Sequence, residues 1–411
     1  MIAGACQTCL RTRENGGHMR RSLPPGAAFA LIASGTVLGG AGTDLVLPAV
    51  PSLPAALGGT PAEAQYVLAA YVAGGALGLV LFGELGARFD PRKTLAASLG
   101  LYALLSLAAA SMPTLEGLIL VRFVQGAAAS APAVFAPGFI RALFAPERAA
   151  SMIGLIGSIE SLVPALAPLA GAWLLVHFGW RASFIVIGIV ALALAALMSA
   201  LAHRLPRGAT RSIGGGYAPL LSDLPYLRYA LSQAFALGGL LTFVFGAPAV
   251  IVGPLGGTLA DFIRLQVSGI AFFILASNLA GRLAARFGAE KLIVGGTALA
   301  GVAALAILAY ALFGGVDPWA LIPLWILWNL GFGLRGPPGF LKAVIAARGD
   351  DARGSALMIL AILLTAACGA ALAAPFVATG LTGVAAVAAA IEVGALGWLA
   401  LPKTRDGLAI S

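Results

Sequence analysis

Apolar runs long enough to cross a bilayer recur along the whole chain, separated by short segments that carry most of its charge. About 20 consecutive apolar residues cross the hydrocarbon core as a helix, which satisfies its own backbone hydrogen bonds there. Spans are predicted at 27–50, 64–83, 94–112, 115–140, 151–176, 181–202, 227–252, 262–281, 292–313, 319–341, 355–379 and 381–401. The expected fold is an all-α membrane protein with twelve transmembrane helices. Its predicted parts are a tail 1–26, a bundle 27–202, a linker 203–226, a second bundle 227–401 and a tail 402–411.

Composition agrees with this pattern: 60% of the residues are hydrophobic and 10% charged, against about 25% charged in soluble domains. The 54 glycines suit helices that pack closely. The net charge of +9 raises the question of nucleic acid, which the placement of the cations answers. With the N-terminus inside, 21 of the 25 Lys and Arg fall in cytoplasmic segments, Arg181 and Arg264 fall outside, and Arg122 and Arg335 lie within spans. That asymmetry is the positive-inside rule, so the basic balance reports topology and places both termini in the cytoplasm.

The tail holds Cys6, Cys9 and His18, too few ligands for a metal site, and is expected to be disordered. No apolar core precedes the first span, so no cleaved signal peptide is expected, and Met19 is an alternative start. With Cys368 the only other cysteine, no disulfide framework is expected.

The segment Gly83-Glu-Leu-Gly-Ala-Arg-Phe-Asp-Pro-Arg-Lys93 returns 198 positions later as Gly281-Arg-Leu-Ala-Ala-Arg-Phe-Gly-Ala-Glu-Lys291. Pro48-Ala-Val50 and Pro248-Ala-Val250 repeat at a similar separation, as do Arg148-Ala-Ala-Ser151 and Arg353-Gly-Ser-Ala356. Such matches indicate two pseudo-symmetric six-helix bundles. Duplicated halves commonly enclose a midplane site and rock about it.

At these motifs the chain resembles the major facilitator superfamily, and within it the drug:proton antiporters of the Bcr/CflA type, which include chloramphenicol and florfenicol exporters. Thr43-Asp-Leu-Val-Leu-Pro-Ala-Val-Pro51 is similar to the signature of the first helix, and Gly83 to Lys93 to that of the loop between helices 2 and 3. Arg122-Phe-Val-Gln-Gly126 matches the helix 4 signature, and Pro164-Ala-Leu-Ala-Pro168-Leu-Ala-Gly171 resembles the antiporter signature of helix 5. Gly179-Trp-Arg-Ala-Ser-Phe184 and Ser232-Gln-Ala-Phe-Ala-Leu-Gly-Gly239 extend the likeness. It implies the major facilitator fold, a bacterial inner membrane, a monomer, no cofactor, and small-molecule cargo exchanged for protons.

Gly83, Arg88, Asp90, Arg92, Pro164, Pro168, Gly171 and Arg335 are the candidate gating residues. Ala87 stands where the family's loop carries an acid that helps latch the cytoplasmic side, leaving Asp90 or Glu84 to substitute. Ala167 likewise replaces a glycine of the helix 5 signature.

A charged side chain at mid-bilayer costs about 3 kcal/mol or more, so each needs a partner or a task. Arg122 lies nine residues past Pro113, about 13 Å into the bilayer at 1.5 Å per residue. Glu160 is equally deep, and Asp44 sits in the outer part of the first span inside a signature. Asp44 or Glu160 is expected to carry the proton, with Arg122 tuning it. Glu392, in the last span, reads as structural, and Arg335 as snorkelling towards the inner surface or gating. Tyr66, Tyr71, Gln125, Phe235, Phe243 and Asn278 combine aromatic and polar groups suited to lining a drug-sized cavity.

The leading expectation is proton-driven export of amphipathic or aromatic molecules. A metabolite transporter of the same fold is the alternative, and a non-transporting sensor is a further one. An intramembrane enzyme finds no support: there is no zinc-protease or serine-elbow motif, and His18, His177 and His203 all lie off mid-span. No phosphate-binding loop is present, which leaves an ion gradient as the energy source.

Overall fold

The computed structural model describes residues 23–145, 162–206, 217–347 and 351–402, with 148, 149, 152, 155, 156, 159 and 160 between the first two stretches. The cysteine pair of the tail, residues 207–216 of the linker and the last nine residues therefore lie outside the described residues.

The spans are helical: α1 (Pro25–Asp44), α2 (Pro61–Arg88), α3 (Pro91–Ala110), α4 (Leu115–Leu143), α5 (Val163–Phe178) and α6 (Arg181–Leu201) form the first half. The second half comprises α7 (Leu224–Val252), α8 (Leu259–Phe287), α9 (Ala289–Leu312), α10 (Pro318–Ala346), α11 (Asp351–Ala373) and α12 (Leu381–Trp398). Among the described residues ten helices are long and apolar enough to cross a membrane. Of the two predicted spans outside that count, α5 is described only in its later portion. The other, α10, has the length, 29 residues, but its three Trp, four Pro, Asn329 and Arg335 make it less apolar.

The duplication is visible in how the helices begin. Thr60 opens α2 with a capping box closed by Glu63, and Thr258 opens α8 with one closed by Asp261, again 198 positions later. Each box satisfies backbone N–H groups that the first turn leaves without partners.

A second correspondence fastens the third helix of each half to the end of its sixth. Arg92, at the start of α3, pairs with the capping Asp90 at 2.6 Å and donates to the Leu205 carbonyl at 3.3 Å. Glu290, at the start of α9, pairs with Arg228, which also donates to the carbonyls of Leu399 and Leu401. The charges are exchanged between the halves while the fastening is kept.

Apolar packing is divided unevenly along the helix axes. One large core joins both halves at the face opposite the chain ends, uniting Leu45–Val50, Val67–Val72 and Phe184 with Phe243–Ile251, Trp325 and Ala366–Val377. Towards the face carrying residues 23 and 402 there are two separate cores. One is built on Ile32, Phe135, Phe139 and Met198, the other on Tyr226, Tyr229, Ala343 and Met358. The halves thus meet at one face, reach mid-depth where Gly75 approaches Leu363, and keep separate cores at the other.

Candidate functional site

The polar groups of the first half converge from four helices. Helices α2 and α4 run so close that a Cβ on Gly126 would overlap the backbone of Tyr71, and one on Gly74 that of Phe123. Small residues permit this approach, which lets Arg122 reach across a short gap. Arg122 is fully buried; its Nε donates to the Val67 carbonyl at 3.3 Å and its Nη1 to Gln125 Oε1 at 2.8 Å.

Gln125 Nε2 continues the chain to Ser106 Oγ at 2.6 Å, and Ser106 donates to the Tyr102 carbonyl at 2.7 Å. The guanidinium also lies 3.9 Å from the centre of the Tyr71 ring, a cation–π contact that is strong when desolvated. Tyr71 donates its hydroxyl to Gly39 of α1 at 2.6 Å, and the Tyr71 and Tyr102 hydroxyls are 3.3 Å apart. Only a glycine at 42 lets α1 lie against both rings.

Asp44 closes α1 beside this cluster, and both it and Arg122 lie within electrostatic reach of the Tyr71 hydroxyl. The two are not ion-paired: among the described residues the buried Asp44 carboxyl has no hydrogen-bond partner, and Arg122 Nη2 is enclosed without one. Glu160 lies beside the Thr36 hydroxyl of α1. Thr36 and Asp44 are eight positions apart, about 12 Å along the helix axis. The two candidate acids therefore sit along one helix, at different depths.

Of the predicted cavity residues, the structure brings together Tyr71 and Gln125 and leaves the others apart. Tyr66 is half-buried on α2. Phe243 is buried in a stack of rings with Trp325 and Trp328, at 5.2 and 5.7 Å between centres. Phe235 packs on Trp398 of α12 at 5.9 Å, and Asn278 is exposed, donating to Ile274 of its own helix at 2.8 Å. Phe235 and Phe243 are thus occupied within the second half, where ring packing is more favourable than standing free.

The gating candidates separate similarly. Gly171 is required because α5 crosses the backbone of Leu45, and Pro164 and Pro168 bracket the start of that helix. Gly83 faces open space, and Arg88 makes an exposed pair with Glu84 at 3.6 Å. Asp90 caps α3 and holds Arg92, and both of these ion pairs stay within the first half.

Arg335 corrects the expectation of snorkelling. It is fully buried, with Nη1 donating to the Ser232 carbonyl at 2.9 Å and Nη2 to the Ser232 hydroxyl at 3.3 Å, so α7 supplies partners for two of its nitrogens, while Nε is enclosed without one among the described residues. Glu392, also fully buried, accepts from Trp328 Nε1 at 3.1 Å and lies within electrostatic reach of Arg335. The contributions of Ser106, Tyr102, Ser232 and Trp328 were not anticipated. Only their neighbourhood of an intramembrane charge one helix away could have found them, and that requires the packing.

Duplicated helical bundles around buried polar clusters define a multi-pass membrane transporter. The Major Facilitator Superfamily profile matches residues 32–372, and the chain belongs to that family. It is 29% identical over 316 residues to a chloramphenicol resistance protein of Pseudomonas aeruginosa, covering 73% of each chain. It is 27% identical over 258 residues to a bicyclomycin resistance protein homologue of Haemophilus influenzae, covering 61% of this chain and 65%, just under two thirds, of the relative. The fold is shared with a bacterial homologue of the human lysosomal transporter Spinster, at a TM-score of 0.66, 12% identity and 92% and 95% coverage of the two chains. It is shared too with the proton:xylose symporter XylE, at 0.65, 16% identity and 92% and 97% coverage.

Proposed function

We propose that this protein is a drug:proton antiporter of the bacterial inner membrane, exporting small amphipathic or aromatic molecules by alternating access. Both termini and the 203–226 linker lie in the cytoplasm in this reading, which rests on the asymmetry of Lys and Arg. The separate cores near residues 23 and 402 then correspond to a cavity open inward.

The observation that carries the reading is that, among the described residues, neither the buried Asp44 carboxyl nor Arg122 Nη2 has a hydrogen-bond partner, the two lying on either side of Tyr71. An acid without a fixed cation is free to exchange a proton, and a guanidinium with spare donor capacity can respond to that exchange. Glu160, nearer the open face, is the second acid of the path. Names of the relatives support drugs as cargo, since they are resistance proteins against chloramphenicol and bicyclomycin. The protein acts as a monomer, its two halves supplying both walls of the site.

The test is a drug and metabolite panel in an efflux-deficient host, followed by transport in proteoliposomes under an imposed pH gradient. Protection against amphipathic drugs with uphill, gradient-dependent movement is expected. Metabolite movement without drug movement would replace drug export with the alternative cargo class.

A further inference from the structure

On the outside of the first half, at the face bearing the chain ends, a cavity of about 540 Å³ lies between α3 and α6. Its lining is Asp90, Arg92, Lys93, Ala96, Ala97, Ser199, Ala202 and His203. These residues divide by chemistry. Asp90 and the Arg92 guanidinium are engaged with each other, and Arg92 is further held by Leu205. Lys93 is exposed and has no hydrogen-bond or ionic partner among the described residues, and exposed His203 lines the same cavity. The other walls are alanine methyls, because the Ser199 hydroxyl is turned onto the Ala195 carbonyl at 2.7 Å.

Beneath this cationic mouth both helices continue with exposed apolar faces. On α3, Ala97, Leu101 and Leu104 follow at spacings of four and three; from His203 in the turn after α6, Ser199, Ala196, Leu192 and Ile189 of α6 do the same in the other direction. Such spacings keep side chains on one helix face. Leu104 is 64% exposed and Ile189 58% exposed. Since α3 pairs closely with α6, the two stripes border one groove running from the cavity into the hydrocarbon depth.

We propose that this groove binds an anionic phospholipid, with its phosphate at Lys93 and His203 and an acyl chain along the Ala97–Leu104 and Ile189–Ala196 stripes. A small soluble anion would use the mouth alone and leave the stripes without a role. Zwitterionic lipid would use the stripes but gain less from the unpaired cation, since basic groups near a membrane surface attract anionic lipid. Because Arg92 also fastens α3 to the end of α6, a lipid seated there would brace these two helices against each other.

The test uses the purified full chain in detergent and native mass spectrometry after exchange with phosphatidylglycerol, phosphatidylcholine or inorganic phosphate. One phosphatidylglycerol should be retained in about tenfold preference to phosphatidylcholine, and Lys93→Gln should cut its retention about fivefold. Ala97→Trp, which fills the groove and leaves the charges in place, should lower it too. Arg282→Gln, an exposed cation on the second half, should leave it unchanged. Circular dichroism and size exclusion would establish that each variant is folded. Equal retention of the two lipids, equal loss in Arg282→Gln, or an undiminished site in Ala97→Trp that inorganic phosphate empties would overturn the proposal.

Discussion

The Arg122 guanidinium lies 3.9 Å from the centre of the Tyr71 ring, and this contact joins α4 to a helix whose hydroxyl is itself bonded to α1. Three helices of the first half thus share one buried cation. Removing a partner of a buried charge costs more than the bond itself was worth, because the charge is left without compensation. Gln125→Ala is therefore expected to destabilise the detergent-solubilised protein by about 2 kcal/mol. Thermal unfolding with a midpoint equal to that of the parent would contradict the role given to Gln125.

Asp44 and Glu160 are separable by substitution. Asp44→Asn and Glu160→Gln keep size and hydrogen bonding while removing the ability to carry a proton. In proteoliposomes the carrier's variant should lose pH-driven accumulation and keep cargo binding or downhill exchange. Full uphill transport in both variants would exclude both acids.

For Glu392 the expectation is different, since its partner is fixed. Glu392→Gln retains an acceptor for Trp328 Nε1 and should unfold within about 1 kcal/mol of the parent. Glu392→Leu removes the acceptor and the charge facing Arg335, and should cost about 3 kcal/mol. Similar unfolding of the two variants would show that the acid is not a structural acceptor.

The loop between α2 and α3 supplies a conformational prediction. Ala87→Asp introduces the acid that the resemblance of the loop signature leads one to expect there, and should shift the population towards states closed at the cytoplasmic face. Spin labels at Phe89 and Ile359, at that end of the first half and on α11, should report shorter distances than in the parent. Distances that do not change would count against any latch at this position.

Topology is open to a direct measurement. A cysteine replacing the exposed Ser222, between the halves, should react only with reagents that cross the membrane. Labelling by an impermeant reagent added outside intact cells would reverse the assigned orientation.

The positions of the helices were legible because each apolar run must match the bilayer thickness and each duplicated motif must recur in register. The 198-residue offset of the repeated loop motif recurs in the structure at the helix starts Thr60 and Thr258, which the sequence motifs alone do not single out. Arg122, Gln125 and Asp44 were legible as site candidates because charge and polarity stand out against an apolar background. What remained hidden was the direction in which ambiguous side chains turn. Phe235, Phe243 and Asn278 have the chemistry of cavity linings, yet two are taken by Trp rings and the third by its own helix.

Arg335 marks the boundary most clearly. Chain position put it towards a membrane surface, and the amino-acid sequence by itself determined only that a cation lay far along the tenth span. Its burial was decided by Ser232, a residue 103 positions away on a neighbouring helix. The helices and their duplication follow from local periodicity and from the bilayer as a solvent. Pairing across helices depends on how their faces meet, and only the tertiary structure decides whether a buried charge finds partners, as two nitrogens of Arg335 do, or has none among the described residues, as with Asp44.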